Sequence, residues 1–209
     1  MLTIRQFRKS YQGVPALHVE ALSLPPGIHW LRGANGSGKT TFFRSVAGML
    51  PCEGEIWLDD RWEIHRDPVE YRLRVNYAEA EPAYPDFLTA RDLIRFVGKT
   101  KQSPSGQGDE LAERFGLTQF WQTPFGTYSS GMRKKTSLVL ALLGRPRLVM
   151  LDEPLNALDI AATQVLYQCI RALHTQGVGF LLSSHQDFRF DELPIGQHFV
   201  VENQTLRPA

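Results

Sequence analysis

One octapeptide limits what this chain can fold into more than any other feature. Gly33-Ala34-Asn35-Gly36-Ser37-Gly38-Lys39-Thr40 fits the pattern GxxxxGK[ST]. A strand-like run, 28–31, precedes it. After it, Phe42, Phe43, Val46 and Ala47 recur at helical spacing within 40–50, and Gly48 and Pro51 supply a stop. A strand, a glycine-rich turn and a helix in this order form a cradle for polyphosphate. Glycines let backbone N–H groups point inward without a Cβ in the way, and the helix N-terminus adds positive potential. Such a cradle uses Lys39 on the terminal phosphates and the Thr40 hydroxyl on a Mg2+ ion, and Thr41 follows on the same first turn.

The remaining pattern supplies a sheet to carry the cradle. Leu2, Ile4 and Phe7 alternate, and 18–24 and 55–58 are further strand-like runs bounded by Gly or Pro. The segments 90–97 and 109–115 read as helices separated by a polar loop, 99–108, and Val139, Leu142 and Leu143 share a face of another helix from Met132 onward. Two short apolar runs, 148–151 and 178–182, suit buried parallel strands. They flank a helix that buries Leu166, Cys169, Ile170 and Leu173 and stops at Gly177. Strands and helices alternating around a helical block predict an α/β fold with helices on the sheet faces.

Both apolar runs end in chemistry. The first ends in Asp152-Glu153 and the second in Ser183-Ser184-His185. Open α/β sheets bind ligands at the carboxyl ends of their strands, so these groups arrive where the phosphates sit. Asp152 is placed to hold the Mg2+ shell, Glu153 to polarise an attacking water, and His185 to bring an imidazole to the same edge. The other histidines lie at no such strand end and read as structural or surface groups.

Composition excludes several classes. Lys plus Arg number 23 against 22 for Asp plus Glu, a net charge of +1 that gives no broad basic field for nucleic acid. The densest basic run, Arg133-Lys134-Lys135, reads as a solvated helix face. Cys52 and Cys169 have no zinc or disulfide spacing and read as core thiols of a reducing compartment. The longest apolar run, 138–143, is far short of a bilayer span, and no signal-peptide core opens the chain. The expectation is a cytoplasmic chain whose membrane component is another polypeptide.

Between the cradle and the carboxylates lies Tyr128-Ser129-Ser130-Gly131-Met132, at the start of the helix that carries the basic run. With this segment the chain resembles the ATPase family of ABC transporters, whose signature is LSGGQ or the variant YSxGM. The resemblance covers essentially the whole chain, with every motif in family order. It implies a P-loop NTPase (RecA-like) core at about 1–82 and 146–209, with an N-terminal antiparallel β-subdomain, and an inserted α-helical subdomain at about 83–145. It implies ATP and Mg2+ as ligands, and partners in a second copy or related ATPase subunit and a separate transmembrane permease subunit. That permease would dock near 80–97 and hold the chain peripherally on the inner membrane face. Tyr11 looks like the residue that stacks on adenine, and Asp159, in Asn156-Ala157-Leu158-Asp159, looks like a dimer-seam residue that is also an apt helix N-cap. His185 looks like the switch histidine at the γ-phosphate. Ser129 and Gly131 look like the elements that bind the γ-phosphate of ATP held by the opposite subunit. A hydroxyl and a glycine backbone at a helix start form an anion site, which a chain already owning a cradle would offer to another copy.

Two positions depart from the family pattern. Ala80 stands where Gln usually serves as a Mg2+ ligand and coupling hinge, with Glu79 and Glu81 as neighbouring oxygen donors, and Ser130 replaces the middle signature glycine. The YSxGM form and the short length favour an export-type ATPase over importers with a regulatory C-terminal domain. The alternatives are a non-transport ABC ATPase, whose coiled coil or second cassette the sequence lacks, and a small-molecule P-loop kinase, which has no use for 128–132 or Asp159. The cradle reading predicts that Lys39→Ala abolishes nucleotide binding in titration calorimetry. Wild-type affinity in that variant would contradict it.

Overall fold

The computed structural model describes residues 1–184 and 192–209. Among these, ten strands join in one sheet in the order β5-β4-β1-β2-β10-β9-β3-β8-β7-β6. The strands are β1 (Leu2–Tyr11), β2 (Val14–Leu24), β3 (Ile28–Arg32), β4 (Glu53–Leu58), β5 (Trp62–Glu63), β6 (Val75–Ala78), β7 (Leu148–Asp152), β8 (Gly179–Ser183), β9 (Ile195–Glu202) and β10 (Thr205–Pro208). Strands β9, β3, β8, β7 and β6 run parallel, and β2, β1, β4 and β5 form an antiparallel wing. The wing continues into the parallel part through β10, which meets β2 in a parallel bridge between Thr205 and His18 and pairs antiparallel with β9.

Strands β7 and β8 are apolar runs because both of their faces are covered. Successive side chains alternate between two cores. Val149, Leu151, Phe180 and Leu182 enter a core shared with the helices, while Leu148, Met150 and Leu181 enter a second one. The second core is closed by α1 (Lys39–Val46) and the antiparallel wing, where Phe42 and Phe43 pack among Leu2, Ile4, Phe7, Ile56 and Leu58. The Phe7 and Phe42 rings meet edge to face at 5.8 Å.

The α-helices among the described residues are α1, α2 (Pro68–Arg74), α3 (Ala90–Thr100), α4 (Gln107–Arg114), α5 (Ser130–Ala141) and α6 (Ile160–Thr175). A reciprocal capping box between Thr89 and Asp92 starts α3. Helix α3 runs on to Thr100 and α4 begins already at Gln107, so the loop expected at 99–108 shrinks to 101–106. Helix α1, by contrast, stops at Val46, ahead of the expected 50, and Gly48 adopts a left-handed φ of 71°. Strand β2 starts at Val14 rather than at His18. Pro15 looks like a terminator, yet it sits opposite Ser10 where the β1/β2 register shifts, a place where a strand tolerates a residue without an N–H.

The helical block between β6 and β7 is fastened to the sheet by a buried amide. Asn76 in β6 donates through Nδ2 to the carbonyls of Ala141, the last residue of α5, and Leu143, just past it, both at 2.8 Å. Removing a donor that serves buried carbonyls costs about 1–3 kcal/mol per group left unmade. Asn76→Ala is expected to lower the unfolding free energy by about 2–4 kcal/mol in urea denaturation with an unchanged m-value. A loss below about 1 kcal/mol would show that the block is held without it.

Candidate functional site

The loop between β3 and α1 closes as the motif requires. Gly33 has φ 154°, and a Cβ there would lie 2.6 Å from Ser37 Oγ and 2.7 Å from the Val201 carbonyl, so the loop passes where only glycine fits. Gly38, at φ 109°, turns the chain into α1. Ser37 N–H donates to the Ala34 carbonyl at 3.1 Å, and Lys39 reaches back over the loop to the carbonyls of Gly33 (2.6 Å) and Ala34 (3.2 Å). Burial holds the Lys39 pKa below its ordinary value, partly offset by the carboxylates of Glu153 and Asp152.

Asp152 ends β7 with its carboxylate almost fully buried, at 1% exposure. A buried carboxylate needs donors, and three elements provide them. Thr40 Oγ1 of α1 donates to Oδ2 at 2.6 Å, Tyr77 Oη of β6 donates to Oδ2 at 3.3 Å, and Ser183 Oγ of β8 donates to Oδ1. Burial beside Asp152 and Glu79 pushes the Tyr77 phenol far above its usual range, so it remains a donor. Ser183 also accepts from the Glu153 N–H at 3.1 Å, and its carbonyl accepts from the same N–H at 3.1 Å. Glu153 sits at φ 46°, a left-handed conformation that costs a non-glycine residue about 1–3 kcal/mol and needs such support.

An open cleft of about 360 Å³ is lined by the loop and first-turn residues 34–41 together with Ala80, Glu81, Asp152, Glu153 and Asn156. Asn35, Gly36, Ser37, Gly38, Lys39, Thr40 and Thr41 therefore share one cavity with both carboxylates, as their strand and helix positions predict. Of the two oxygen donors beside Ala80, Glu79 pairs instead with Arg44 of α1 at 3.4 Å, whereas Glu81 lines the cleft. Gly33, which shapes the loop from behind, and Tyr11, Ser129, Gly131 and Asp159 are absent from the lining. Tyr11 ends β1 at 48% exposure, with Lys9 Nζ 4.8 Å from its ring centroid. His185 lies outside the described residues.

Ser129 caps α5, its Oγ accepting from the Met132 N–H at 3.2 Å. Gly131 lies so close to the Ala157 carbonyl that a Cβ would stand 2.7 Å from it. Asp159 caps α6 through Oδ1, which accepts from the Ala162 N–H at 2.7 Å, and takes Lys135 Nζ at 2.6 Å on Oδ2. The hydrogen bond from Lys135, then that from Ala162, lower its pKa. The start of α5 and the segment 156–159 are thus fastened together.

The basic run is not a solvated face. A helix turns about 100° per residue, so three consecutive side chains spread over about 200° and the middle one of these points inward. Lys134 faces the sheet at 2% exposure, on the same stripe as buried Leu138 and Ala141. Its ammonium donates to the carbonyls of Asp152 (2.7 Å), Glu79 (2.8 Å) and Ala80 (3.3 Å), and burial lowers its pKa to about 8 against the pull of Asp152, Glu153 and Glu79. The sequence signal was there, since Lys134 precedes Leu138 by four residues and Ala141 by seven, but the charge run masked it. Ser183 and Tyr77, as donors to Asp152, also have no motif of their own.

The sequence model of the ABC transporter family matches residues 20–156. The chain is 32% identical over 191 residues to the cytochrome c biogenesis ATP-binding export protein CcmA of Legionella pneumophila, covering 90% of this chain and 94% of that protein. It is 34% identical over 194 residues to the human phospholipid-transporting ATPase ABCA7, covering 88% of this chain and only 9% of that protein's length. Its fold is similar to the ATP-binding cassette MJ0796, solved as a dimer in a post-hydrolysis state bound to ADP and Pi. The TM-score is 0.85 with 19% identity, and 100% of this chain and 98% of that chain are covered. A cleft built for polyphosphate, with paired carboxylates at its sheet edge, thus coincides with a match to most of the sequence: the chain belongs to the ABC transporter family, as an ATP-binding and ATP-hydrolysing domain.

Proposed function

We propose that two copies of this chain, or this chain and a related ATPase subunit, close head to tail around two ATP molecules and so drive a separate membrane subunit. The observation that carries this reading is the separation of two anion-binding elements. The phosphate cleft lies at the sheet edge, whereas Ser129 and Gly131 start α5 outside its lining, where they would serve the ATP of the opposite copy. The similarity to a cassette solved as an ADP- and Pi-bound dimer supports it.

In this arrangement Tyr11 stacks on adenine, and residues 33–41 hold the phosphates. Thr40 and Asp152 bring a hydroxyl and a carboxylate within 2.6 Å of each other, hard oxygen donors of the kind Mg2+ prefers. When bound, the ion would neutralise phosphate charge. Glu153 polarises the attacking water, His185 contacts the γ-phosphate, and Asp159 lies at the seam between copies. Residues 83–145 act as a helical subdomain against a core of 1–82 and 146–209.

Among the described residues no helix is long and apolar enough to cross a membrane. A groove of about 390 Å³ between the two parts, lined by Met49, Glu79, Pro82, Tyr84 and Val97, suits an inserted helix of the membrane subunit. Exposed Phe87 and Phe96 lie in the neighbouring sequence. Docking there would place the chain peripherally at the membrane. The relatives named as an export protein and as a phospholipid-transporting ATPase, with the YSxGM signature form, favour export.

Replacing Glu153 by Gln keeps the shape and removes a general base whose contribution is typically about 10² to 10⁴-fold. Glu153→Gln is expected to bind ATP, lose turnover by that order, and elute as a dimer on size exclusion with ATP. A monomeric variant that hydrolyses ATP at the wild-type rate would overturn both the base and the sandwich.

A further inference from the structure

The geometry points to Lys134 as a positioning residue for ATP hydrolysis, clamping the end of β6 to the end of β7 beneath the reacting carboxylates. The ladder between these parallel strands runs as far as the pair Ala78 and Leu151. The next residues, Glu79 and Asp152, are where the strands part toward the cleft. There the Lys134 ammonium takes one carbonyl from each, at 2.8 and 2.7 Å, and adds the Ala80 carbonyl at 3.3 Å. An ammonium has three donors, and all three are used. The contact is buried, so no solvent exchange substitutes for it.

What the clamp fixes is the width of the cleft floor. Ala80 and Glu81, which follow β6, line it together with Asp152 and Glu153 at the end of β7. Ala80 has only a methyl group and cannot hold its own segment against the site. Lys134 supplies that restraint through the main chain. Because it stands on α5, five residues after Ser129, it also makes the placement of Glu153 depend on where α5 sits. A carboxylate displaced by about 1 Å can lose about a hundredfold in rate while substrate binding, made elsewhere, persists.

This inference rests on hydrolysis at Glu153, and the test separates the two. Lys134→Met keeps the stem and removes every donor, and Lys134→Gln keeps two N–H donors without charge. With Lys134→Met, kcat is expected to fall about tenfold to a hundredfold while the Kd for ATP stays within about twofold of wild type. Lys134→Gln should fall between the two, and should still show a several-fold loss of kcat at unchanged Kd if the Met variant does not fold. Wild-type kcat in a folded variant, a Kd that weakens in step with kcat, or a Gln variant no better than Met would overturn the assignment. If the wild-type chain itself turns over no ATP, the hydrolysis reading fails instead. Amide hydrogen exchange over residues 79–83 then still tests the clamp, which requires faster exchange in the folded variants and is contradicted by wild-type rates.

Discussion

The buried carboxylate of Asp152 organises this molecule. It draws hydroxyl donors from α1, β6 and β8, and its own carbonyl receives Lys134 from α5. Few positions could tolerate a carboxylate at 1% exposure, since an unpaired buried charge is costly. Here the requirement to pair it brings together four elements far apart in sequence. The phosphate loop is registered to the sheet through Thr40, the strand carrying Glu153 is registered to β8 through Ser183, and the helical block is registered to both through Lys134.

That arrangement also accounts for the division of labour along α5. Ser129 starts the helix, Gly131 admits the Ala157 carbonyl, Lys134 grips the strand ends, and Lys135 holds Asp159. The segment that would serve a second copy's ATP is thus mechanically continuous with Asp152 and Glu153, the groups proposed to act on this chain's own. A shift of α5 caused by ATP closure or by a membrane subunit would be felt at Asp152 and Glu153 through short, buried contacts.

The parts readable in the sequence share a physical property: their pattern is dictated on all sides. Strands β7 and β8 are buried on both faces and therefore read as apolar runs, and the phosphate loop must spend glycines where backbone approaches backbone. Strand β6 was not legible, because its four residues include Asn76, whose polarity serves the α5 carbonyls rather than solvent. Strands β9 and β10 were missed because β9 buries only alternate positions near its end. Their connection turns through Asn203 and Gln204, at φ 48° and 59°, without the glycine that usually marks such a turn. The roles of Tyr77, Ser183 and Lys134 depend on neighbours 18 to 75 residues away, which no local spacing encodes.

In the proposed arrangement one chain holds a complete phosphate cleft but an incomplete hydrolytic site, the remainder coming from a second copy. Measuring ATP turnover per chain across a range of protein concentrations tests this directly. A site shared between two copies requires that specific activity rise with concentration and level off as the dimer saturates. Specific activity independent of concentration, in a chain that stays monomeric throughout that range, would contradict it.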